Sequence, residues 1–350
     1  MEIQLLPAEY GDAIVIKTKA EGKPFVIVID GGPESTSADI VDTMNALGQI
    51  DLMILTHFDE DHILGIIKYV EQFTDSKMPV KQIWCNCAQQ VDIAPDTPIS
   101  DAGYENANNL AHLLRKQAEI QDEFQWKEDI DISFSYKKDD LCIYALSPTS
   151  DTLNKLKDEY EDYIKEHPMN DDEPDSTDIA SVSNNPDAKK SINDLVISDK
   201  PRSLTLLNQA SMAFLIQAEG KNILMLGDAD AEVVANALEH NNEIETPLVV
   251  DLMKLSHHGS KNNVSKHLLS LIKCNDYAIT TNGGTHNWCH PDRKTLALIL
   301  RSAGKREENP VKFYFNYCIN EIQKRTGVLI SEQEMQEEKC EMIYKPIITL

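Results

Sequence analysis

The chain has 350 residues and a formal net charge of −25, from 33 basic and 58 acidic residues. This charge argues against a protein that wraps nucleic acid non-specifically, because such binding needs a basic surface. No apolar run approaches the ~20 residues of a membrane-spanning helix, and the N-terminal segment lacks the basic region and long apolar core of a signal peptide. The seven cysteines are scattered and odd in number, which favours reduced thiols and predicts a cytoplasmic protein.

Short apolar segments separated by turns dominate the first half of the chain. Residues 13–16 and 25–29 are rich in β-branched side chains and flank a turn at 21–24, which predicts a hairpin. The further elements predicted here are a helix near 38–47, a strand over 52–55, a helix near 64–73, a strand over 83–87, a helix over 106–119 and a hairpin of 132–136 with 141–146. Strands that alternate with amphipathic helices indicate an α/β protein.

The composition changes over residues 151–200, where charged, serine, asparagine and proline residues dominate. We predict a flexible acidic insertion at 151–200, within a single domain that spans residues 1–350. A solvated linker is the default interpretation of such a segment, and a contact with a protein partner is the alternative.

Strand patterns resume after the insertion and repeat the order of the first half. The predicted elements are a hairpin of 211–216 with 222–226, a helix over 231–240, a strand over 251–255, a helix over 266–272, a strand over 277–280, a helix over 294–303, and edge strands over 311–317 and 340–348. Hairpins come first in each half and helix-linked strands follow, which predicts two sheets packed face to face with helices outside.

Four metal-competent side chains lie within six residues at the end of a predicted strand, namely His57, Asp59, Asp61 and His62. Gathering two imidazoles and two carboxylates costs desolvation and like-charge repulsion unless a cation neutralises them. The alternative is a polar loop in which Asp61 caps the next helix, but the spacing of the other three side chains would then be accidental. Mixed histidine and carboxylate clusters suit divalent cations, so we predict a metal site.

Gly227 and Asp228 also follow a predicted strand. A carboxylate at this point can bridge two cations, and Gly227 lets the backbone approach closely. The alternative role, capping the helix over 231–240, suits Asp230 well, whereas Asp228 comes one residue too early. We therefore predict that Asp228 contributes to the metal site.

Two further strand-end loops carry histidines. His257 and His258 follow a predicted strand, and adjacent residues on a strand point to opposite sides. At most one of them is therefore a direct ligand unless the chain bends, and the other is a supporting or catalytic group. His286 and His290 share a later loop. Six of the ten histidines fall in three strand-end loops, which favours their convergence on one site.

The order of these motifs resembles that of the metallo-β-lactamase superfamily. The matching motifs are Asp30-Gly31-Gly32, Thr56-His57-x-Asp59-x-Asp61-His62, Gly227-Asp228, His257-His258-Gly259-Ser260 and His286…His290-Pro291. The chain is more closely similar to the hydrolase domain of the bacterial DNA-uptake competence channel (ComEC-like) and its free-standing relatives, also through Gly11-Asp12-Ala13 and Asn208-x-x-Ser211. The resemblance implies an αββα sandwich of two mixed sheets, with a metal-dependent hydrolytic site along one edge. In the closer subfamily it implies hydrolysis of phosphodiester bonds.

The resemblance also implies a set of metal ligands. These are His57, Asp59, Asp61, His62 and Asp228, together with one of His257 and His258, for which we take His258. From the clustering of the side chains we assign catalytic roles as well. Asp61, or alternatively Asp59, would accept a proton, and the remaining groups would steady developing charge or protonate the leaving group, namely His257, His286 and His290.

The chain departs from the general pattern of the superfamily at two ligand positions. Asp59 replaces the second histidine of the usual HxHxDH motif. The lone histidine that normally precedes the bridging aspartate is missing, and Asn208 lies nearby instead. One metal position therefore loses imidazoles and gains oxygen, which weakens the preference for zinc and favours a harder ion such as manganese. The expected cofactor is one or two divalent ions, zinc or manganese.

These features predict a metal-dependent phosphodiesterase or nuclease that uses a metal-activated water. Its substrate would be a phosphodiester or another small molecule, and a nucleic acid can serve if it enters a metal-neutralised cleft. One alternative is a hydrolase of small esters, lactones or thioesters on the same fold, which would be expected to keep more histidine ligands. The other is a non-catalytic module in a multi-protein system, with a partner bound through the acidic insertion.

Overall fold

The protein is described here by a computed structural model, which covers residues 1–86, 102–166, 187, 190–195, 204–285, 289–302 and 309–350. Within the predicted insertion at 151–200, residues 151–166 belong to a helix whose Leu156 and Tyr160 are buried in the core, so this part is not a flexible linker. The flexibility of the part outside the described residues stays a prediction. The described part of the chain contains no helix that is long and apolar enough to cross a membrane.

The strands form two large sheets and one short parallel pair. They are β1 (Glu2–Leu5), β2 (Ile14–Ala20), β3 (Lys23–Ile29), β4 (Leu52–Leu55), β5 (Gln82–Cys85), β6 (Gln125–Lys127), β7 (Ser135–Lys138), β8 (Leu141–Ser147), β9 (Ala213–Ala218), β10 (Lys221–Met225), β11 (Leu248–Val250), β12 (Leu252–Lys254), β13 (Ile272–Cys274), β14 (Asp276–Ile279), β15 (Val311–Phe315), β16 (Cys340–Tyr344) and β17 (Ile347–Thr349). Most predicted strands are found within a few residues of their expected bounds.

Helices connect the strands and cover the sheets. They are α1 (Ser37–Ala46), α2 (Glu60–Glu71), α3 (Ala102–Ile120), α4 (Ser150–Glu166), α5 (Leu206–Gln209), α6 (Ala231–His240), α7 (Lys266–Ser270), α8 (Arg293–Ser302), α9 (Ile319–Thr326) and α10 (Glu332–Glu338). Helix α2 begins four residues earlier than the apolar pattern indicates, and it therefore includes Asp61 and His62.

Both large sheets are mixed and are built on the same plan. The first has the order β17-β1-β2-β3-β4-β5-β6, antiparallel from β17 to β3 and parallel from β3 to β6. The second has the order β16-β15-β14-β12-β10-β9-β8-β7, antiparallel from β7 to β10 and parallel from β10 to β16. The two-sheet αββα architecture predicted from the sequence is confirmed.

Alternation along the strands produces the layers. In β2, Ile14 and Ile16 lie in the core between the sheets, whereas Val15 packs on the opposite face with the side chains of α1 and α2. The core between the sheets includes Trp84 from the first sheet and Phe214 from the second, with ring centroids 5.8 Å apart. A third cluster joins the second sheet to α6, α7 and α8. Each sheet thus buries one face on the other sheet and one on helices.

The last part of the chain differs from its prediction. Residues 311–317 are predicted as an edge strand, but β15 lies inside the second sheet, between β14 and β16. The true edges here are β16 of the second sheet and β17 of the first. The position of this segment near the end of the sequence suggested an edge strand. In the structure β15 pairs in parallel with β14 on one side and with β16 on the other, so neither of its sides is an edge.

A buried ion pair fixes the short segment 190–195 against α8 and α10. Arg293 pairs with Glu334 and also donates to the carbonyl of Lys190, while Glu334 accepts from the backbone N–H of Ile192 at 2.7 Å. Burial raises the pKa of Glu334, but the N–H groups of Ser331 and Ile192 and the Arg293 guanidinium outweigh it and lower this pKa from 4.5 to about 2.

We predict that Glu334→Gln lowers the free energy of unfolding by about 2 kcal/mol at neutral pH, because a buried charge-assisted network is lost. The lowered pKa means that ionised Glu334 stabilises the fold above pH 4.5 and that this contribution disappears as the pH falls towards about 2. Urea unfolding of both proteins over this range is the measurement, with Glu337→Gln on the exposed face of α10 as control. An equal stability loss at every pH would contradict the assignment.

Candidate metal centre

The first turn of α2 carries the central part of the site. Asp59 takes the N-cap position with an extended backbone, and the helix begins at Glu60. His57 Nε2 consequently lies 3.3 Å from Asp59 Oδ2. Helix α2 sits unusually close to the turn after β3, because a Cβ on Gly65 would lie 1.9 Å from the Gly31 carbonyl oxygen. Glycine at these two positions therefore allows α2 to pack directly against the backbone of this turn.

Asp30 fixes the orientation of His62. Both residues are fully buried, and Asp30 Oδ2 lies 2.9 Å from His62 Nδ1. Asp30 also accepts from the backbone N–H and the hydroxyl of Thr56, each at 2.7 Å. With Nδ1 held by a carboxylate, Nε2 is left to face the site, which is the arrangement of many metal-binding histidines. Thr56 further contacts His57 Nδ1 at 3.1 Å.

The turn at 256–259 brings both of its histidines to the site. His257 and His258 have φ values of 48° and 54°, so the chain bends in a left-handed conformation that non-glycine residues rarely adopt. His258 Nδ1 lies 2.8 Å from the Thr280 carbonyl, and its Nε2 lies 3.7 Å from Asp61 Oδ2. His257 Nε2 lies 3.7 Å from Asp228 Oδ2. The bend is the condition under which both histidines reach one site.

Asp228 lies at the centre of the imidazoles. Its Oδ2 is 3.8 Å from His62 Nε2 and 3.9 Å from His57 Nε2. Its backbone N–H donates to Ser211 Oγ at 2.9 Å, next to Gly227 at φ 48°. Burial raises the pKa of Asp228, but the surrounding imidazoles, His257 first, hold it well below its ordinary value.

The donor atoms define two adjoining positions for a cation. We call position A the set Asp61, His62 and His258, whose ligand atoms all lie within 4.8 Å of one another. Position B comprises His57 and Asp59, and Asp228 adjoins both positions. A third buried group, Asp12, Asp30 and His62, serves as support, because both carboxylates already accept hydrogen bonds from neighbouring side chains.

A divalent cation fits this donor set. Among the described residues, four buried atoms of the predicted ligands have no hydrogen-bond partner, namely Nε2 of His57, His62 and His258 and Oδ1 of Asp228. A buried polar atom without a partner costs free energy. Coordination of one or two cations satisfies these atoms and offsets the repulsion between the carboxylates.

The predicted site residues do not all stand equally close to this centre. The structure brings together seven of them, namely His57, Asp59, Asp61, His62, Asp228, His257 and His258. His290 lies further out, with its ring 5.2 Å from that of His257 and its Nδ1 3.5 Å from Asp292 Oδ2. His286 lies outside the described residues. The individual roles assigned from the sequence stay predictions.

Sequence reasoning gave no role to the groups that hold the histidines. These supporting residues are Asp30, Thr56, Thr280, Asp12, Lys254 and Asp292. Asp30 directly follows a β-strand, as several of the predicted ligands do, so its position in the sequence could have indicated that it belongs to the site. Lys254 carried none, because its sequence context is that of an ordinary strand.

A cation at this centre would compete with a proton for His62. Burial lowers the pKa of His62, but Asp61, Asp228 and Asp30 outweigh it and raise this pKa well above its ordinary value. The raised pKa favours the protonated form of His62 when no cation is bound. Because coordination needs the lone pair on Nε2, the affinity for metal must fall as the pH falls below this raised pKa.

We predict the release of about one proton for each ion bound at position A at pH 7. Calorimetric titration of the metal-free protein with zinc, in buffers of different ionisation enthalpy, measures this number. His62→Ala serves as the control, since it should bind less metal and release fewer protons. Zinc binding without proton release in the unaltered protein would contradict the raised pKa.

Comparison with known proteins agrees with the fold. The sequence model of the Metallo-beta-lactamase superfamily matches residues 7–100, a range that contains Asp30 and the run from His57 to His62. Over residues 7–100 the chain is therefore similar to the metallo-β-lactamase superfamily. No curated protein matches the chain.

Several solved structures are similar to the chain. Zinc-bound PqqB from Methylobacterium extorquens is 9% identical, with 100% of both chains covered and a TM-score of 0.44. The metallo-β-lactamase fold protein YhfI from Bacillus subtilis is 8% identical, with 93% of both chains covered and a TM-score of 0.39. CmlA, a diiron β-hydroxylase from Streptomyces venezuelae, is 11% identical over 100% of this chain and 54% of its own, with a TM-score of 0.42. At these identities and scores, the similarities carry no argument about function.

Proposed function

We propose that this protein is a metal-dependent phosphodiesterase or nuclease. The observation that carries the proposal is the pair of adjoining cation positions, one with two imidazoles and one with oxygen in place of an imidazole. Cations held there would supply an activated water and would polarise the oxygen atoms of a bound phosphoryl group. Hard oxygen donors such as Asp59 favour ions such as manganese, which also suit phosphate oxygens.

Asp61 and Asp228 act mainly by holding charge in place. Burial raises the pKa of Asp61, but His62 and His258 outweigh it and lower the pKa, so the carboxylate stays ionised. A carboxylate with a lowered pKa is a weak base, and this supports the ligand role of Asp61 more than its role as a proton acceptor. Asp59, whose side chain is 36% exposed, is the more accessible carboxylate for taking a proton.

His257 and His290 form the rim of the site. His257 is 27% exposed, and burial lowers its pKa despite the nearby Asp228 carboxylate. A neutral imidazole here donates a hydrogen bond to a phosphoryl oxygen without adding a full charge. His290 Nδ1 lies 3.5 Å from Asp292 Oδ2, and we assign to His290 the protonation of the departing oxygen.

The net charge of −25 bears on the size of the substrate. A long polyanion is repelled by an acidic surface, and this repulsion is only partly screened by salt. We therefore favour short or cyclic phosphodiesters, or single strands that enter the site by one end, over duplex nucleic acid. The resemblance to the hydrolase domain of the DNA-uptake channel supports a phosphodiester bond in either case.

Three further features belong to the proposal. We propose a single domain over 1–350, a protein partner bound through the insertion at 151–200, and a cytoplasmic location. The location is supported by the cysteines, since none of the six that the structure describes is in a disulfide bond.

The test of the function is hydrolysis of bis(p-nitrophenyl) phosphate by metal-stripped protein reloaded with manganese or zinc. We expect manganese-dependent turnover that is at least about 100-fold lower in His62→Ala, because the loss of a ligand disrupts the catalytic ion. p-Nitrophenyl acetate is tested in parallel. Turnover of the ester alone, by protein shown to hold metal, would replace the proposal with an ester hydrolase.

The rim histidine should affect turnover but not metal content. We predict that His290→Gln lowers kcat by about 10²- to 10⁴-fold, the usual contribution of a positioned proton donor, while bound metal is unchanged. Metal content is measured by mass spectrometry beside the steady-state kinetics. Gln keeps the shape and a hydrogen-bonding group, so loss of metal in this variant would mean that His290 is a ligand.

A further inference from the structure

A lysine is buried directly behind the metal centre. Lys254, the last residue of β12, is 1% exposed and donates to the carboxylate of Asp12, which is also 1% exposed. The two residues are 242 positions apart and belong to different halves of the sandwich, since Asp12 lies just before β2. Lys254 also donates to the Gly227 carbonyl at 3.3 Å.

Simple stability does not explain this pair well. Removing two charges from water costs several kcal/mol per ion, and well-packed apolar residues of similar volume often give equal or higher stability. Burial raises the pKa of Asp12, but the Lys254 ammonium and then His258 outweigh it and lower this pKa, so the carboxylate stays ionised and the pair consists of two buried charges. Apolar residues in place of Asp12 and Lys254 could give an equally stable core, so we expect the ion pair to have a role other than packing.

The pair contacts the turns that bear three of the ligands. The Asp12 backbone N–H donates to the Asp61 carbonyl at 3.2 Å. The Asp12 carboxylate accepts from the Thr280 hydroxyl, and the Thr280 carbonyl lies 2.8 Å from His258 Nδ1.

The lysine reaches the third turn. Gly227, whose carbonyl accepts from Lys254, directly precedes Asp228. The same carbonyl accepts from the backbone N–H of His257 at 2.9 Å. One buried ion pair is thus joined to the backbones or partners of Asp61, Asp228 and His258, which approach the centre from three separate loops.

We propose that Asp12 and Lys254 are positioning residues that set the metal affinity of position A. Their contacts fix the distances among Asp61, His258 and Asp228 before an ion binds, so less ordering is required at binding. The inference rests on the proposed metal centre and is independent of the substrate class. The competing role is a purely structural clamp between the two sheets.

A second buried ion pair in the same chain provides the matched control. Arg293 and Glu334 are 5% and 8% exposed and link α8 to α10. Among the described residues, their side-chain hydrogen bonds outside the pair go to Lys190, Ile192, Val328, Leu329 and Ser331, none of which is a predicted ligand. The two possible roles of the Asp12–Lys254 pair, a structural clamp and a positioning pair, predict different results. Breaking either pair lowers stability, but breaking the Asp12–Lys254 pair alone should change metal binding.

The experiment is titration of the metal-free, full-length protein with cobalt(II), followed by visible absorption, with thermal unfolding measured in a chelator. Lys254→Met and Asp12→Asn should weaken cobalt binding by about 10- to 100-fold, the range found for groups that support ligands, and should shift the absorption bands. Lys254→Arg should restore most of the affinity. Arg293→Met should lower the melting temperature and leave the cobalt affinity and spectrum unchanged.

Thr280→Val keeps the inference testable if Lys254→Met does not fold. This variant removes the hydroxyl that donates to Asp12 while preserving shape and the carbonyl next to His258. We expect about 10-fold weaker cobalt binding, the lower end of the same range. Unchanged cobalt affinity and spectrum in the folded variants would overturn the positioning role. Absence of cobalt binding in the unaltered protein would instead refute the metal centre, and tight binding without phosphodiester turnover would refute only the proposed substrate.

Discussion

The repulsion between buried carboxylates is the constraint on which the rest of this structure depends. Asp61 and Asp228 approach the same imidazoles from different sheets, and Asp30 lies directly behind His62. In a medium of low dielectric such an assembly is unstable unless positive charge balances it. The raised pKa values of His57 and His62 favour protonated, positively charged imidazoles at this place, and bound divalent cations would provide the charge instead. The raised pKa of His62 and the lowered pKa of Asp228 both follow from this balance.

The αββα fold meets this constraint by bringing strand ends together. Parallel strands in both sheets end at one edge. The polar turns that follow β4, β10, β12 and β14 therefore lie close together and form the candidate metal centre. Backbone links then join the turns across the sheets, as in the hydrogen bond from Met212 to the Thr56 carbonyl at 3.0 Å. The strained conformation of His257 and His258 fits the same scheme, because their left-handed turn is supported on both sides by hydrogen bonds from neighbouring loops.

Local pattern was enough to predict the fold class and to locate the candidate ligands. Apolar periodicity gave the strands, and polar residues directly after strand ends marked His57, His62 and Asp228. The pattern did not show contacts between residues that are far apart in the sequence. The bend at His257 depends on Gly227 and Thr280 from other loops, and the pairing of Lys254 with Asp12 spans 242 positions. The interior place of β15 likewise depends on strands that come before and after it. A single sequence records residue types at these positions but not the partners that give them their roles.

The asymmetry between the two cation positions has a consequence for the chemistry. Position A is closed on its protein side, with His62 and His258 each held at Nδ1 by Asp30 and the Thr280 carbonyl. Position B relies on His57 and on Asp59, whose side chain is 36% exposed and so keeps contact with water. Loss of a cation costs a carboxylate that water can hydrate less free energy than it costs a buried imidazole. Position B should therefore bind its ion more weakly and exchange it faster. An ion at position B would therefore be the more open to substrate oxygens, while an ion at position A would be held by preorganised ligands.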